Sequence, residues 1–326
     1  TIFYQAPNFL SRPGRVVERW KKRKCDVGCT LVGFIFAPMN RLGYLFLRGL
    51  ADVFRLIPFP VLYVLSDVFA FVLQHVVGYR RKVMDDNLAL AFPEKTEEER
   101  RRIRNKAYRN ITDIILETMK GFTMSIKATE RRCKVLNPEV PNKYLGNGQS
   151  IMLGGSHFNC WEWTGIAMPP ALKGTVVTAF KAVKNPFVDE YYNAKRSKSG
   201  MVMVNMNETY PAMRKLSDKT CCFILLSDQS PSNRKSAHWV DFFGVDTAFL
   251  PGLDFLARRF QYPAVYYDVK RVRRGYYEVT YTDICSDTSK ISEGDITRFY
   301  ADLLEKTIRQ QPENWLWSHK RWKMKR

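Results

Sequence analysis

The 326-residue sequence predicts an α/β fold: a mainly parallel sheet flanked by helices, with a hydrophobic membrane-associating helix near the N-terminus. Three observations lead to this prediction. A long apolar run lies before residue 80, a capped helical pattern follows it, and short apolar runs then alternate with helical patterns after Gly148. Such alternation is typical of a parallel sheet, because each connection between strands that point the same way requires a crossover, usually a helix.

The longest apolar run is LIPFPVLYVLSDVFAFVLQHVV, residues 56–77. It approaches the roughly 20 residues that cross the hydrocarbon core of a bilayer. Pro58, Pro60 and Asp67 interrupt it, and basic clusters flank it on both sides. A carboxylate in a spanning helix costs a few kcal/mol, so an interfacial helix is predicted as readily as a true crossing. A buried core helix is the third alternative.

The next stretch, FPEKTEEERRRIRNKAYRNITDIILETMKGF, carries a helix start signal. Thr96 followed by Glu99 is a capping box, in which each residue satisfies a free backbone N–H of the other. Acidic residues crowd the first turn and favour the positive end of the helix dipole. Ile103, Ala107 and Ile111 form one apolar stripe. The pattern predicts a scaffold helix.

Apolar runs of strand length then recur along the rest of the chain. They are SIMLGG, GTVVTAF, MVMVN, CCFILLSD and AVYYDVKRV, with YYEVTYTDI as an expected edge strand. Helical patterns separate the first five runs, and a last helix is expected over residues 295–310. In parallel sheets the chemistry lies at the carboxyl ends of strands, so SHFN after the first run and SDQS after the fourth are the places to look.

His157 is the best-placed candidate base, since it follows the first strand and precedes Glu162 by five positions. A histidine in the turn and a glutamate in the first helical turn can meet, and a carboxylate on one ring nitrogen leaves the other to accept a proton. A histidine that merely caps the helix is the alternative. A Cys160 nucleophile and a serine-hydrolase role for Ser156 are also open, although Ser156 lacks the G-x-S-x-G elbow.

Composition limits the class of protein. The chain has 52 Lys and Arg against 32 Asp and Glu, a formal charge of +20, and 45% hydrophobic residues, which exclude a disordered chain. A mean hydropathy of −0.31 excludes a polytopic membrane protein. Seven irregularly spaced cysteines predict reduced thiols and no structural metal. The positive charge predicts an anionic partner, either a membrane surface or a nucleic acid.

Several ordered motifs resemble one known family. The box GGSHFNCWEW, the segment FILLSDQSPS followed by VDFFGVDTAFLPGLDFLARRF, and the ending PENWLWSHKRWK are similar to the lipid A biosynthesis lauroyl/myristoyl acyltransferases, which are of the lysophospholipid acyltransferase type. The resemblance covers about residues 42–326. It implies a glycerol-phosphate-acyltransferase-like fold and transfer of an acyl chain from a thioester to a lipid hydroxyl.

The resemblance also implies roles for individual residues. His157 would be the general base and Glu162 its partner, with no metal, no cofactor and no acyl-enzyme. Arg196 corresponds to a family arginine that meets the acceptor phosphate or the developing oxyanion. The remaining implied substrate-binding residues are Lys181, Asp228, Gln229 and Asn159. Where many members read Gly-Asn after the aromatic residue, this chain has Asn159 and Cys160, so the resemblance leaves the details of the donor site open.

The resulting organisation has three parts: a basic N-terminal extension (1–41), a hydrophobic membrane-associating segment (42–82) and a single acyltransferase domain (83–326). The implied partners are acyl carrier protein or acyl-CoA as donor, a lipid A precursor as acceptor and an anionic membrane surface, with no nucleic acid. An aminolipid or lysophospholipid acceptor, or a basic nucleic-acid-binding protein, is the alternative. The implied location is the cytoplasmic side of the bacterial inner membrane. The tryptophans of the C-terminal ending are interpreted as a membrane-interface belt.

Overall fold

A seven-stranded sheet forms the centre of the protein. The computed structural model describes residues 41–183 and 185–326, so the predicted extension lies outside the described residues except for its last position. The strands are β1 (Cys133–Val135), β2 (Ile151–Gly155), β3 (Thr175–Phe180), β4 (Val202–Asn205), β5 (Cys221–Leu226), β8 (Ala264–Arg273) and β9 (Tyr276–Cys285), and a separate hairpin contains β6 (His238–Phe242) and β7 (Val245–Phe249).

Helices pack against the sheet and against one another. They are α1 (Arg41–Leu56), α2 (Phe59–Phe71), α3 (Arg81–Ala91), α4 (Glu97–Thr123), α5 (Ile126–Glu130), α6 (Glu139–Leu145), α7 (Trp161–Ala167), α8 (Pro186–Arg196), α9 (Thr209–Lys215), α10 (Gly252–Phe260) and α11 (Asp295–Gln310). A π-helical turn, Val72–Val76, continues α2. The last helix has the bounds expected from the sequence.

The sheet order is β1-β9-β8-β2-β5-β3-β4. The strands β8, β2, β5, β3 and β4 are parallel, whereas β9 runs antiparallel to β8. The predicted mainly parallel α/β fold is therefore confirmed. The edge position predicted for β9 is wrong, because β1 pairs with its outer side. A three-residue strand is too short to show a period-two pattern.

The sheet separates two apolar cores. Along β2, Met152 packs into one core and its neighbours Ile151 and Leu153 pack into the other. This is the alternation that a strand covered on both faces requires. The first core also includes Tyr108 of α4, and the second includes Trp163 of α7. Both faces of β2 are thus fixed immediately before the His157 loop.

The scaffold helix α4 begins at the predicted capping box. The Thr96 side chain accepts from the Glu99 backbone N–H at 3.2 Å, and the Glu99 carboxylate accepts from the Thr96 N–H at 2.8 Å. The helix then continues for 27 residues. Near its far end Lys120 donates to the carbonyls of Phe54, Arg55 and Ile57 at 2.7 to 2.9 Å. A cation at a helix C-terminus satisfies orphan carbonyls, so Lys120 fixes the end of α1.

A buried carboxyl group joins α2, α4 and β9. Glu117 is fully buried and accepts from the hydroxyls of Tyr63 at 2.8 Å and Tyr277 at 2.7 Å. Burial is the main cause of its raised pKa, which is about 7. The neutral acid is the form that a buried site favours.

Replacing Glu117 with glutamine is expected to flatten the pH dependence of stability between pH 5 and 8. Unfolded Glu titrates near 4.3, so between about 4.3 and 7 the folded state binds more protons and stability falls as pH rises, by on the order of 3 kcal/mol in total. Urea unfolding at pH 5 and 8 measures this difference, with exposed Glu98→Gln as the control. Equal pH slopes for Glu117→Gln and the parent chain would contradict the assignment.

Candidate active site

The loop after β2 is held close to its neighbours by Gly155. A Cβ at this position would lie 2.1 Å from the Tyr267 ring, so the backbone reaches its place only because glycine has no side chain. The Gly155 carbonyl accepts from the Tyr300 hydroxyl at 2.6 Å and from the Ser227 N–H at 3.1 Å. The end of β2 is thereby fixed to the end of β5. The residues that follow the two strands therefore lie opposite each other.

His157 and Asp228 meet at this edge. His157 Nδ1 lies 2.8 Å from Asp228 Oδ1, and the His157 backbone N–H donates to Asp228 Oδ2 at 3.0 Å. The Trp315 indole N–H also donates to Oδ2, at 3.0 Å. Because β2 and β5 are adjacent parallel strands with Gly155 opposite Leu226, the residues that follow each strand must be neighbours. The two segments selected from the sequence therefore form one cluster.

Asp228 is ionised in this setting. It is 2% exposed, and burial alone would raise its pKa. The charge interaction and hydrogen bonds with His157, together with the Trp315 donor, outweigh burial and lower the pKa to about 2. An ionised carboxylate on Nδ1 places the ring proton there, which leaves Nε2 as the nitrogen that can accept a proton. This is the arrangement of an oriented general base.

Aromatic and amide groups confine the imidazole. The Trp161 ring packs edge-on against it at a centroid distance of 5.2 Å. The Gln229 amide nitrogen lies 3.5 Å from Nδ1 and 3.4 Å from Nε2, so it sits over the ring. The His157 side chain is 9% exposed. The imidazole is thus held in one orientation, and Gln229 contacts it, while the implied role of Gln229 in substrate binding stays a prediction.

Glu162 is engaged by Arg196. Arg196 Nε donates to Glu162 Oε2 at 2.8 Å, and its Nη2 donates to Oε1, a two-point pairing that fixes the guanidinium plane. The carboxylate on His157 Nδ1 is therefore Asp228, whereas the sequence suggested Glu162. Glu162 belongs to the first turn of α7, directly after Trp161, whose ring contacts the His157 imidazole. The expectation that Glu162 is catalytic stays a prediction.

Local capping positions Arg196. Asn185 caps α8 by accepting from the Phe187 and Val188 N–H groups at 3.0 and 3.3 Å. After the helix, Lys198 donates to the carbonyls of Gly121 and Met124 at 2.6 and 2.8 Å. Burial lowers the Lys198 pKa to about 8. This lysine caps the C-terminal end of α4 and so fastens the end of α8 to the scaffold helix.

The two remaining predicted residues lie in different settings. Asn159 is fully buried, with a left-handed backbone (φ 53°), and its amide donates to the Val269 carbonyl at 2.5 Å. Asparagine tolerates the left-handed backbone region better than most residues. The hydrogen bond from its side chain to Val269 then holds the loop in place. Lys181 is exposed and follows β3, the neighbour of β5. It thus occupies the same carboxyl edge as His157.

The tryptophan-rich ending is part of the core. Trp315 and Trp317 are 2% and 0% exposed, and Arg321 is 1% exposed with a hydrogen bond of 2.7 Å to the Ala248 carbonyl. The membrane-belt interpretation is therefore wrong for these residues. His319 Nε2 accepts from the Ser230 N–H at 3.0 Å, and burial lowers its pKa to about 4, so it is neutral and packs the ending against the loop after Asp228. Sequence reasoning missed the Trp315 contact, for which periodicity gives no signal.

Cys160 is unsuited to nucleophilic catalysis. Its side chain is fully buried, and burial raises its pKa well above the ordinary thiol value. A thiolate is the reactive form, so a thiol that resists ionisation packs as a small apolar group. Within the described ranges no group of three or more His, Cys, Asp or Glu side chains is placed to hold a metal ion.

Comparison with known proteins decides the family. The family model described as bacterial lipid A biosynthesis acyltransferase matches residues 39–324. The chain belongs to this family. It is therefore an acyltransferase, and the resemblance drawn from the motifs is confirmed.

Individual relatives are distant but similar over most of their length. The chain is 22% identical over 271 residues to the lipid A biosynthesis lauroyltransferase of Escherichia coli K12, covering 82% of this chain and 87% of the relative. It is 20% identical over 269 residues to the palmitoleoyltransferase of the same strain, covering 82% and 86%. A lipid A biosynthesis acyltransferase of Haemophilus influenzae is 25% identical over 274 residues, with the same coverage. The chain is thus similar in sequence to lipid A acyltransferases whose names carry different acyl chains.

Proposed function

We propose that this lipid A acyltransferase transfers a fatty acyl chain from acyl carrier protein or acyl-CoA to a hydroxyl of a lipid A precursor, on the cytoplasmic side of the inner membrane. His157 is the general base. The observation that carries the proposal is the hydrogen bond of 2.8 Å between His157 Nδ1 and the buried carboxylate of Asp228, at the carboxyl edge of the sheet.

The reaction follows from that pair. His157 Nε2 removes the proton of the lipid hydroxyl as the oxygen attacks the thioester carbonyl. A tetrahedral intermediate forms, its oxyanion collapses, and the carbon–sulfur bond breaks. The departing thiolate takes the proton from His157, so the enzyme returns to its starting state without a covalent intermediate. A thioester is already activated, and alignment with a correctly placed base supplies most of what is needed.

Arg196 supplies positive charge next to the base. The Arg196 side chain is 28% exposed, and Glu162 holds it through Nε and Nη2. Glu162 acts by orienting Arg196, and Arg196 stabilises the oxyanion or the phosphate of the acceptor. Lys181, exposed at the same edge, is a second phosphate contact. The lipid A precursor is favoured over an aminolipid or a lysophospholipid because the family and the named relatives are all lipid A enzymes.

The proposal is tested with the purified full chain, a phosphorylated lipid A precursor and acyl donors of defined chain length. Mass spectrometry should detect a product heavier by one acyl chain and an equivalent of released thiol, with His157→Ala as the blank. Acyl carrier protein and CoA donors are supplied in parallel to identify the carrier. Acylation of an aminolipid or lysophospholipid alone would overturn the acceptor assignment, and thiol release without any acylated lipid would overturn acyl transfer itself.

A further inference from the structure

The outer side of α2 and of the π-helical turn is largely apolar, with exposed His75 packed against Phe71 as a polar interruption. Its exposed residues are Val61, Val64, Val68, Phe69, Phe71, Val72, Val76 and Val77, between 40% and 73% exposed. The segment Phe59–Val76 is long and apolar enough to cross a bilayer by length and composition. We call this exposed set the α2 outer face. An exposed apolar patch of this size marks a surface that a protein partner or a membrane covers.

The opposite side of the same helix is fastened to the folded domain. Leu62, Ser66 and Ala70, spaced four residues apart, are buried along one stripe. The Ser66 hydroxyl donates to Asp113 of α4 at 2.6 Å. One turn earlier the Tyr63 hydroxyl donates to Glu117, also of α4. The helix therefore lies against α4 along its length, so lipid cannot surround it.

Charged groups reinforce this attachment. Asp67 is ion-paired with Arg274 at 2.8 Å and with Arg109 at 2.9 Å. Arg274 also binds the fully buried Asp113. If α2 crossed a bilayer, these charges and the polar side of α4 would enter the hydrocarbon, where charged side chains are strongly disfavoured. The cost disappears when only the α2 outer face meets lipid.

Basic residues lie at both ends of the outer face. Arg55 is exposed before α2, and Arg81 and Lys82 are exposed after the turn. A spanning helix would place one of these groups on the far side of the membrane, whereas a helix in the membrane plane keeps all of them at one anionic surface. The charges are thus complementary to a single leaflet.

The β8–β9 turn extends this surface beside the active-site edge. Tyr266 of β8 pairs with Gly154 of the parallel strand β2, and β8 continues for seven residues beyond it to Arg273. At the tip, Val272 is 54% exposed next to an exposed Arg273. Gly275 in the turn lies against the Tyr63 hydroxyl of α2. A membrane that contacts the α2 outer face therefore lies toward the edge that carries His157.

We propose that α2 and the π-helical turn do not cross the membrane but lie in its plane, and that the α2 outer face with the β8–β9 tip docks on an anionic lipid leaflet. The inference rests on the proposed function only for the choice of a membrane as the partner. Docking in this manner presents the His157 edge to lipid hydroxyls at the membrane surface.

Nitroxide depth measurements on the full chain test the orientation. In a background of Cys25→Ser, Cys29→Ser and Cys285→Ser, single cysteines replace residues of the outer face, and the proteins are bound to phosphatidylglycerol-containing vesicles. The labelled positions are Val61, Val64, Val68, Val72 and Val76. All five labels are expected at one shallow depth, about 5 to 10 Å below the phosphates. The control is Asp218→Cys, in the exposed turn before β5 at the opposite edge of the sheet, whose label should stay in water.

Each other outcome overturns the inference. A spanning helix would put the Val68 label about 15 Å deep and the Val61 and Val76 labels at opposite interfaces. Labels that stay in water, or that couple to labels on a second copy, would show that lipid does not cover the face. Vesicles of neutral phosphatidylcholine should bind on the order of 10³-fold more weakly, since four basic residues flank the surface and each contributes about fivefold near an anionic leaflet.

Two further measurements separate this inference from the proposed function. His157→Ala should dock as the parent chain does, because the catalytic residue is not part of the surface. If acyl transfer persists in detergent while the labels report a spanning or unbound helix, the docking inference alone is overturned.

Discussion

Replacing Asp228 with asparagine is expected to lower kcat for acyl transfer by on the order of 10³, close to the loss expected for His157→Ala. Asparagine keeps the shape but removes the charge that holds the proton on His157 Nδ1 and stabilises the imidazolium that forms as the hydroxyl is deprotonated. A factor of 10³ corresponds to about 4 kcal/mol of transition-state stabilisation. Steady-state assays with a defined acyl donor measure it, and KM for the donor should change much less than kcat.

A double-mutant cycle distinguishes orientation of the base from a general loss of structure. If Asp228 acts through His157, adding Asp228→Asn to His157→Ala should reduce the remaining rate very little, because the group that Asp228 positions is already absent. Independent losses that multiply would contradict the assignment.

The matched comparison is Glu162→Gln, which tests the role suggested by the sequence. Because Glu162 binds Arg196, its replacement should weaken acceptor binding or oxyanion stabilisation, with a loss on the order of tenfold. A further loss of similar size should be seen when Glu162→Gln is combined with His157→Ala. If Glu162→Gln instead matched Asp228→Asn in size and lost its effect in the absence of His157, Glu162 would be the orienting carboxylate.

Whether a contact can be predicted from the sequence depends on how far apart in the chain the interacting residues lie. Periodicity located β2 and β5, and the rule that parallel strands end at one edge brought His157 and Asp228 to the same place. The partner of Nδ1 was not predictable, because it depends on β5 being adjacent to β2, a fact of strand order that no local pattern carries. Glu162 is the partner that proximity in the sequence and the family resemblance both favour.

Long-range polar contacts explain the other differences. Trp315 donates to Asp228 across 87 positions, and the sequence offered only an aromatic and basic composition, which a membrane belt and a packed core share. The capping box at Thr96, in contrast, is complete within four residues and was identified correctly. Contacts between residues within one helical turn can be predicted from the sequence. Contacts between residues that only the tertiary fold brings together cannot.

Replacing Asp113 with alanine is expected to destabilise the protein by about 3 to 5 kcal/mol, because it leaves two arginines without their shared carboxylate. Asp113 is fully buried and accepts from Arg271 Nη2 at 2.5 Å, from Arg274 Nη2 at 2.6 Å and from the Ser66 hydroxyl. The Arg271 and Arg274 side chains are only 15% and 26% exposed, so water can replace the lost partner only in part. Urea unfolding of the full chain in detergent measures the loss.

The control for this substitution is Asp86→Ala, which removes an exposed ion pair with Lys82 and should cost at most about 1 kcal/mol. The two variants delete the same chemical group, so their difference isolates burial and the shared arginines. Equal losses would show that the Asp113 cluster adds nothing beyond a surface pair. Asp113 also binds α2 through Ser66 and Arg274, so its loss should release α2 from α4 at a lower denaturant concentration than the sheet unfolds, which would connect the stability of this cluster to the orientation of the membrane-docking surface.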